Sequence, residues 1–162
     1  MPRRFSILIA VSIIVLAADQ ITKYMVASRF HLYESVTLIE NFFNLTYVRN
    51  KGAAFGMFAE SAIRVPFFIT VSVLAAVGIL WYFYRARHLQ ALAVFALSLI
   101  FSGAVGNLID RIRFGEVVDF LDVHWYGHHW PAFNVADSAI TVGVALLLLD
   151  IWSEERQKKK AD

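Results

Sequence analysis

No cysteine occurs in the 162 residues. Thiolate nucleophiles, cysteine-based metal sites and disulfides are thereby excluded, although the absence leaves the compartment undecided. Charge is also scarce: Lys, Arg, Asp and Glu make up 17% of the chain against 59% hydrophobic residues, too apolar a balance for an ordinary soluble domain. The chain reads as a membrane protein. Proline appears three times, and Pro66 and Pro131 both stand at the start of apolar runs, where a first helical turn tolerates a missing N–H. Both are read as helix starts. There is no internal repeat and no low-complexity segment beyond a basic tail.

The apolar residues gather into four blocks rather than one continuous core pattern, which predicts helices over about 5–26, 65–84, 91–109 and 132–150. At 1.5 Å per residue each apolar run covers roughly 27 to 30 Å, the thickness of a bilayer's hydrocarbon core. Arg3 and Arg4 before the first block, with Ala17 and Ala18 inside it, also fit a cleavable signal peptide. Three further spans follow, however, and a cut there would leave an odd number of helices and reverse the charge pattern, so the segment is read as a retained helix. Residues 1–162 are expected to form a single membrane-embedded domain.

Basic residues set the direction. Arg3 and Arg4, Arg85 and Arg87, and Arg156 with Lys158 to Lys160 in the tail 153–162 all fall on one side, which the positive-inside rule makes cytoplasmic. Both termini are then cytoplasmic, and the two connections 27–64 and 111–130 face outward. Residues Ser35 to Val48 alternate partially and favour β structure (Val36, Thr37, Phe42, Phe43, Thr46, Tyr47, Val48), before a break at Lys51-Gly52. A small outer β-region over about 35–58, between the first two helices, is expected to rest on the membrane. Trp125, Tyr126 and Trp130 suit the headgroup layer.

Against this apolar background the carboxylates stand out. Asp137 interrupts the fourth block, where an ionised side chain costs roughly 2.5 to 3.5 kcal/mol on insertion scales and so needs a protein interior or a wet cavity. Asn134 lies three residues earlier on about the same face. Asp119 sits in Val117-Val118-Asp119-Phe120, read as an extended segment returning to the outer membrane face. Two carboxylates within hydrogen-bonding reach share a proton, so that one serves as acid and the other as base toward a water attacking an amide. Spacing alone leaves Asp110 and Asp122 as competitors, and leaves a structural role for Asp137 through Arg111 open. Asn107 and Arg111 form a polar stripe beside Gly103 and Gly106, small residues that permit close helix approach. Asp19 and Lys23 make an i, i+4 pair whose expected role is a structural ion pair. Asn50-Lys51-Gly52-Ala53-Ala54-Phe55-Gly56 offers a turn whose backbone can approach a peptide, with Gly52 and Gly56 permitting lid motion. His124, His128 and His129 have no fixed ligand spacing, and no metal is expected. Asn44-Leu45-Thr46 matches a glycosylation sequon without supporting context.

Five ordered segments carry a resemblance: Asp19-Gln20-Ile21-Thr22-Lys23, the Asn50 to Gly56 turn, Gly103-Ala104-Val105-Gly106-Asn107-Leu108-Ile109-Asp110-Arg111, Val117-Val118-Asp119-Phe120 and Phe133-Asn134-Val135-Ala136-Asp137. Over nearly its whole length the chain resembles the bacterial lipoprotein signal peptidases, or signal peptidase II. The resemblance implies a mainly α, integral membrane fold of four transmembrane helices with a small outer β-region, and an aspartic peptidase site near the outer, periplasmic face of the cytoplasmic (inner) membrane. It selects Asp119 and Asp137 as the catalytic pair over Asp110 and Asp122. Asn50, Gly52, Asn107, Arg111 and Asn134 become substrate-binding or site-supporting residues, with Asp19 and Lys23 supporting the structure nearby. The implied substrates are diacylglyceryl-modified prolipoproteins, cut on the amino side of the lipidated cysteine. No motif departs from the family's pattern, while the stretch from His124 to Trp130 is read as peculiar to this chain. Membrane lipids are the other expected partner; no cofactor, metal or nucleic acid is called for, and the chain is expected to act as a monomer. The rival from another class is a proton-coupled transporter whose relay runs through Asp19, Arg111 and Asp137. It is disfavoured because the second span has no ionisable residue and the polar groups gather at one face. A noncatalytic scaffold using the small-residue helix faces would leave both aspartates without a purpose.

Overall fold

Unbroken apolar sequence between Phe5 and Ala18 lets the chain satisfy its own backbone in a helix, and the computed structural model describes α1 as Arg3–Arg29, with residues 2–52, 63–85 and 90–161 described in all. α1 outruns the expected 5–26 at both ends. Apolar length locates a hydrocarbon layer, whereas the polar flanks Arg3, Arg4 and Ala27 to Arg29 remain helical beyond it. Pro2 precedes the helix in extended backbone, and Phe30, also extended, ends it.

After α1 the chain forms a hairpin, β1 (Ser35–Ile39) and β2 (Phe43–Asn50), in the predicted segment. Asn41 takes the left-handed turn position at φ 60°, a conformation that asparagine tolerates better than most side chains. Ser35 pairs with Thr46 and Ile39 with Phe43, around a bulge between Thr37 and Ile39. The sheet is larger than the expected region over 35–58. β3 (Val117–Trp125), from the second outer connection, pairs antiparallel with β2, and the short β4 (His128–His129) follows, giving the order β1-β2-β3-β4. The Val-Val-Asp-Phe run signalled extended backbone but not its partner; that pairing joins residues some 70 positions apart, which local pattern does not encode. Residues 53–58 of the expected β-region, and with them Ala53 to Gly56, lie outside the described residues, as does Arg87.

α2 (Arg64–Arg85) carries Pro66 in its first turn as expected, the first helical bond running from Phe67 N–H to the Ile63 carbonyl. α3 (Ala91–Phe114) ends at Gly115, whose φ of 71° is the left-handed cap. It is the central helix, packed against α1, α2 and α4. α4 (Val135–Ala161) does not begin at Pro131 or at residue 132. Phe133 remains extended and bridges Leu121 of β3, so the helix waits until Asn134 caps it. At its other end α4 takes in the expected tail from residue 153 as continuous helix. All four helices are long and apolar enough to cross a membrane, and their exposed side chains, such as Ile13, Ile14, Leu74 and Leu148, are those a lipid environment accepts.

Close helix approach depends on missing side chains. A Cβ on Gly103 would overlap the backbone carbonyl of Ala136, and one on Gly106 would stand 2.7 Å from Asp19 Oδ2. α1 and α4 therefore meet α3 where its surface is flattest, which draws their polar residues together. Gly103→Ala must push α4 off α3 and is expected to lower stability by about 1–3 kcal/mol. Thermal unfolding in detergent measures it; an unchanged midpoint would show that this contact is not tight.

Candidate active site

Alternation along β3 decides which side chains reach the helices. Val118 and Phe120 pack with Val26 and Tyr47, while Val117 and Asp119 share the opposite face and line a cavity. Asp119 is 1% exposed. Its Oδ2 accepts Asn50 Nδ2 at 2.9 Å, and its Oδ1 accepts Asn134 Nδ2 at 2.6 Å. Asn50 reaches it because β2 runs alongside β3, placing Asn50 opposite Val117 and Val48 opposite Asp119.

Asp137 occupies the third position of α4, in the first turn rather than deeper along the span. Asn134 is the helix cap. Its Oδ1 accepts the Asp137 N–H at 2.9 Å, while Asp137 Oδ2 faces the Asn134 N–H at 3.3 Å, a reciprocal capping box built from Asn and Asp. Asp137 Oδ1 accepts Asn107 Nδ2 at 2.7 Å. One asparagine, Asn134, thus touches both aspartates and caps the helix that carries one of them. The helix amide ends there favour negative charge. Burial first, then the charge of Asp137, pushes the Asp119 carboxyl up to about 7, against the pull of the Asn50 and Asn134 amides and of the Lys23 cation. A second negative charge on the pair is therefore disfavoured up to about neutral pH.

Behind Asn107 lies a buried ionic knot. Lys23 Nζ stands 2.9 Å from Asp19 Oδ2, 3.0 Å from Asp110 Oδ2 and 3.0 Å from Asn107 Oδ1, which occupies all three of its donors. Asp19 also accepts the Ala136 N–H at 2.9 Å, and Asp110 accepts the Val118 N–H at 3.1 Å, so the knot fixes both segments that carry the aspartate pair. Gln20, which the sequence pattern did not single out, bonds to Asp19 and Asp110. Its place inside the Asp19 to Lys23 segment was the available signal.

The competing aspartates are occupied elsewhere. Asp110 serves Lys23. Asp122 accepts Asn44 Nδ2 at 2.8 Å and lies 2.9 Å from His129 Nδ1, at the far end of the sheet. His124 stacks on His129 with centroids 4.6 Å apart, and its Nδ1 faces the Tyr126 carbonyl. Among the described residues no His, Asp and Glu side chains are grouped to hold a metal ion. Arg111 forms no ion pair with Asp137 among the described residues; its guanidinium lies over the Phe68 ring at 4.9 Å.

Asn50, Gly52, Asn107, Arg111, Asp119 and Asp137 all border one cavity of about 820 Å³. Its other walls are apolar or small: Phe68, Val71, Ser72 and Ala75 of α2, Ile100 and Ala104 of α3, Ile140, Thr141 and Val142 of α4. A polar end bearing two carboxylates thus opens into an apolar trough between membrane helices. Lys51, next to Gly52, lies 3.9 Å from Glu116, and its carbonyl accepts Arg64.

These features define a multi-pass membrane protein with a buried carboxylate pair at the polar end of an apolar trough. The family model for signal peptidase II matches residues 11–153. The chain is 54% identical to the lipoprotein signal peptidase of Syntrophotalea carbinolica, over 93% of this chain and 94% of that one. It is 55% identical to that of Geobacter metallireducens, over 98% and 96%. A solved bacterial membrane enzyme superposes with a TM-score of 0.85 at 34% identity, over 93% of this chain and 90% of the other. The chain belongs to the signal peptidase II family. It is accordingly a peptidase of the aspartic type whose substrates are lipoproteins.

Asp19→Asn or Asp110→Asn leaves Lys23 one carboxylate partner, and each is expected to cost about 1–3 kcal/mol of stability. The double variant strands the buried cation and should cost more than the sum. Unfolding midpoints of the three proteins decide it; additive losses would mean that Lys23 does not bridge the two carboxylates.

Proposed function

We propose that Asp119 and Asp137 are the catalytic pair, and that the substrate is a prolipoprotein carrying a diacylglyceryl group on its cysteine, cut on the amino side of that residue. The observation that carries this reading is the bonding of both aspartates to one asparagine, Asn134, at the polar end of the apolar trough. A signal peptide and acyl chains suit the apolar walls, and the scissile amide then lies beside the carboxylates. The ionised member takes a proton from water as it attacks the carbonyl carbon. The protonated member gives its proton to the carbonyl oxygen; as the C–N bond breaks, the member that took the water's proton passes it to the leaving nitrogen, and the collapsing hydroxyl returns a proton to the first, restoring the pair. Asn50, Asn107 and Asn134 orient the pair. Arg111 and Gly52 face the cavity and contact substrate, while Asp19 and Lys23 brace the helices.

The chain works as one membrane-embedded unit, 1–162, active as a monomer in the cytoplasmic membrane. Arg3 and Arg4 open α1, Arg85 closes α2, and Arg156, Lys158 and Lys159 lie in the last turns of α4, at the helix ends opposite the sheet. This charge pattern supports cytoplasmic termini and an active site at the outer face. Lys160, counted in that pattern, has no described side chain.

The test is cleavage of a diacylglyceryl-modified prolipoprotein and its unlipidated control by purified protein in detergent. Only the lipidated substrate should be cut, and Asp119→Asn or Asp137→Asn should lower kcat by about 10²–10⁴-fold in folded protein. Substantial turnover by a folded Asp119→Asn variant would remove Asp119 from the role. With Asp119 at about 7, the pair holds one proton below that pH and loses it above, so kcat should fall on the alkaline side of neutrality. A rate still rising well into alkaline pH would contradict the shared proton.

A further inference from the structure

An asparagine side chain accepts at one end and donates at the other, so the end it shows a carboxylate depends on what holds the opposite end. Three asparagines meet the aspartate pair, and each is anchored through its oxygen by a group that only donates. Asn50 Oδ1 accepts the Gly52 N–H at 3.0 Å, and Asn134 Oδ1 accepts the Asp137 N–H at 2.9 Å. Both anchors are backbone, which no side-chain substitution removes. The third anchor is a side chain: Lys23 Nζ lies 3.0 Å from Asn107 Oδ1, and Asn107 Nδ2 lies 2.7 Å from Asp137 Oδ1.

We propose that Lys23 is a positioning residue for peptide hydrolysis: its ammonium fixes the Asn107 amide with the nitrogen toward Asp137, so that Asp137 Oδ1 remains an unprotonated acceptor in the resting pair. The proposal rests on reading Asp119 and Asp137 as the catalytic pair. Asn134 Nδ2, 3.2 Å from Asn107 Oδ1, assists but already serves Asp119 Oδ1 at 2.6 Å. Among the described residues, the charged groups around Asp137 are Asp119 from β3, Lys23 and Asp19 from α1, and Asp110 and Arg111 from α3; the α2 wall supplies Phe68, Val71, Ser72 and Ala75. Lys23 is thus the cation whose removal both frees Asn107 to turn over and withdraws positive charge. A reversed Asn107 shows Asp137 an acceptor, and the carboxyl must take a proton to keep the contact.

The experiment is the pH dependence of kcat and KM for cleavage of a diacylglyceryl-modified prolipoprotein by wild type, Lys23→Met, Lys23→Met in an Asp19→Asn/Asp110→Asn background, and Asp137→Asn. The triple variant replaces the ionic knot by neutral groups of similar size, so it strands no buried carboxylate and folds if Lys23→Met alone does not. In whichever folds, kcat should fall about 10²-fold with KM near wild type. The acid limb, which marks the pair taking up its second proton, should move about one unit toward higher pH in Lys23→Met against wild type, and in the triple variant against the Asp19→Asn/Asp110→Asn protein assayed beside it, since two lost carboxylates offset the lost cation in any comparison with wild type. A bracing role alone lowers the unfolding midpoint without moving that limb. A folded Lys23→Met protein whose acid limb matches that of its own background overturns the proposal while Asp137→Asn, still inactive, leaves the catalytic pair standing. An active Asp137→Asn would instead remove the pair itself.

Discussion

A lysine ammonium enclosed by two carboxylates and an amide is the contact on which the rest of the arrangement leans. Lys23 belongs to α1, Asp110 and Asn107 to α3, and Asp19 passes the link to the backbone of α4 at Ala136 while Asp110 passes it to β3 at Val118. Burying charge inside a membrane protein is costly, and such a cluster endures only where every donor and lone pair is engaged. Here the three Lys23 donors are all used, and Gln20 adds bonds to both carboxylates. The glycines of α3 are part of the same solution, since a methyl at Gly106 would sit where Asp19 Oδ2 needs to be. Helix packing and polar satisfaction are therefore one constraint.

Polarity is sorted by layer. Two hydrophobic clusters, one around Leu8, Phe83, Val94 and Leu97 and another around Val26, Tyr47, Val118 and Phe120, flank the polar knot without entering it. Peripheral α2 contributes apolar walls to the trough and little to the buried interior. A hydrolase of this kind needs water at one end and hydrocarbon at the other. The sheet has an exposed edge, strand β1, and stands at the polar end of the trough.

Much of this was legible in the sequence because its signals are local. Membrane-length runs gave four helices, β-branched residues around Asp119 gave extended backbone, and five motif segments pointed to Asp119 and Asp137. Helix ends were less legible: Pro131 looked like a start, yet Phe133 bonds to Leu121 of a distant strand and delays α4 until Asn134. The partner of β3 was hidden for the same reason, as pairing across the chain leaves no periodic trace. The role of Asp110 was also concealed, because an aspartate that serves Lys23 and one that serves chemistry look alike until the contacts are seen.

Asn134 joins the aspartate pair while also starting the last helix, and Asn50 approaches from the first outer connection. The surroundings of the pair consequently draw on chain segments made early, such as Asn50, and late, such as Asn134, in translation. A partly inserted chain that ends before Asn134 has one member of the pair, no cap to join it to, and no Ala136 N–H on Asp19 Oδ1. In such a chain the buried polar network stays open, and it closes only when the final helix has docked.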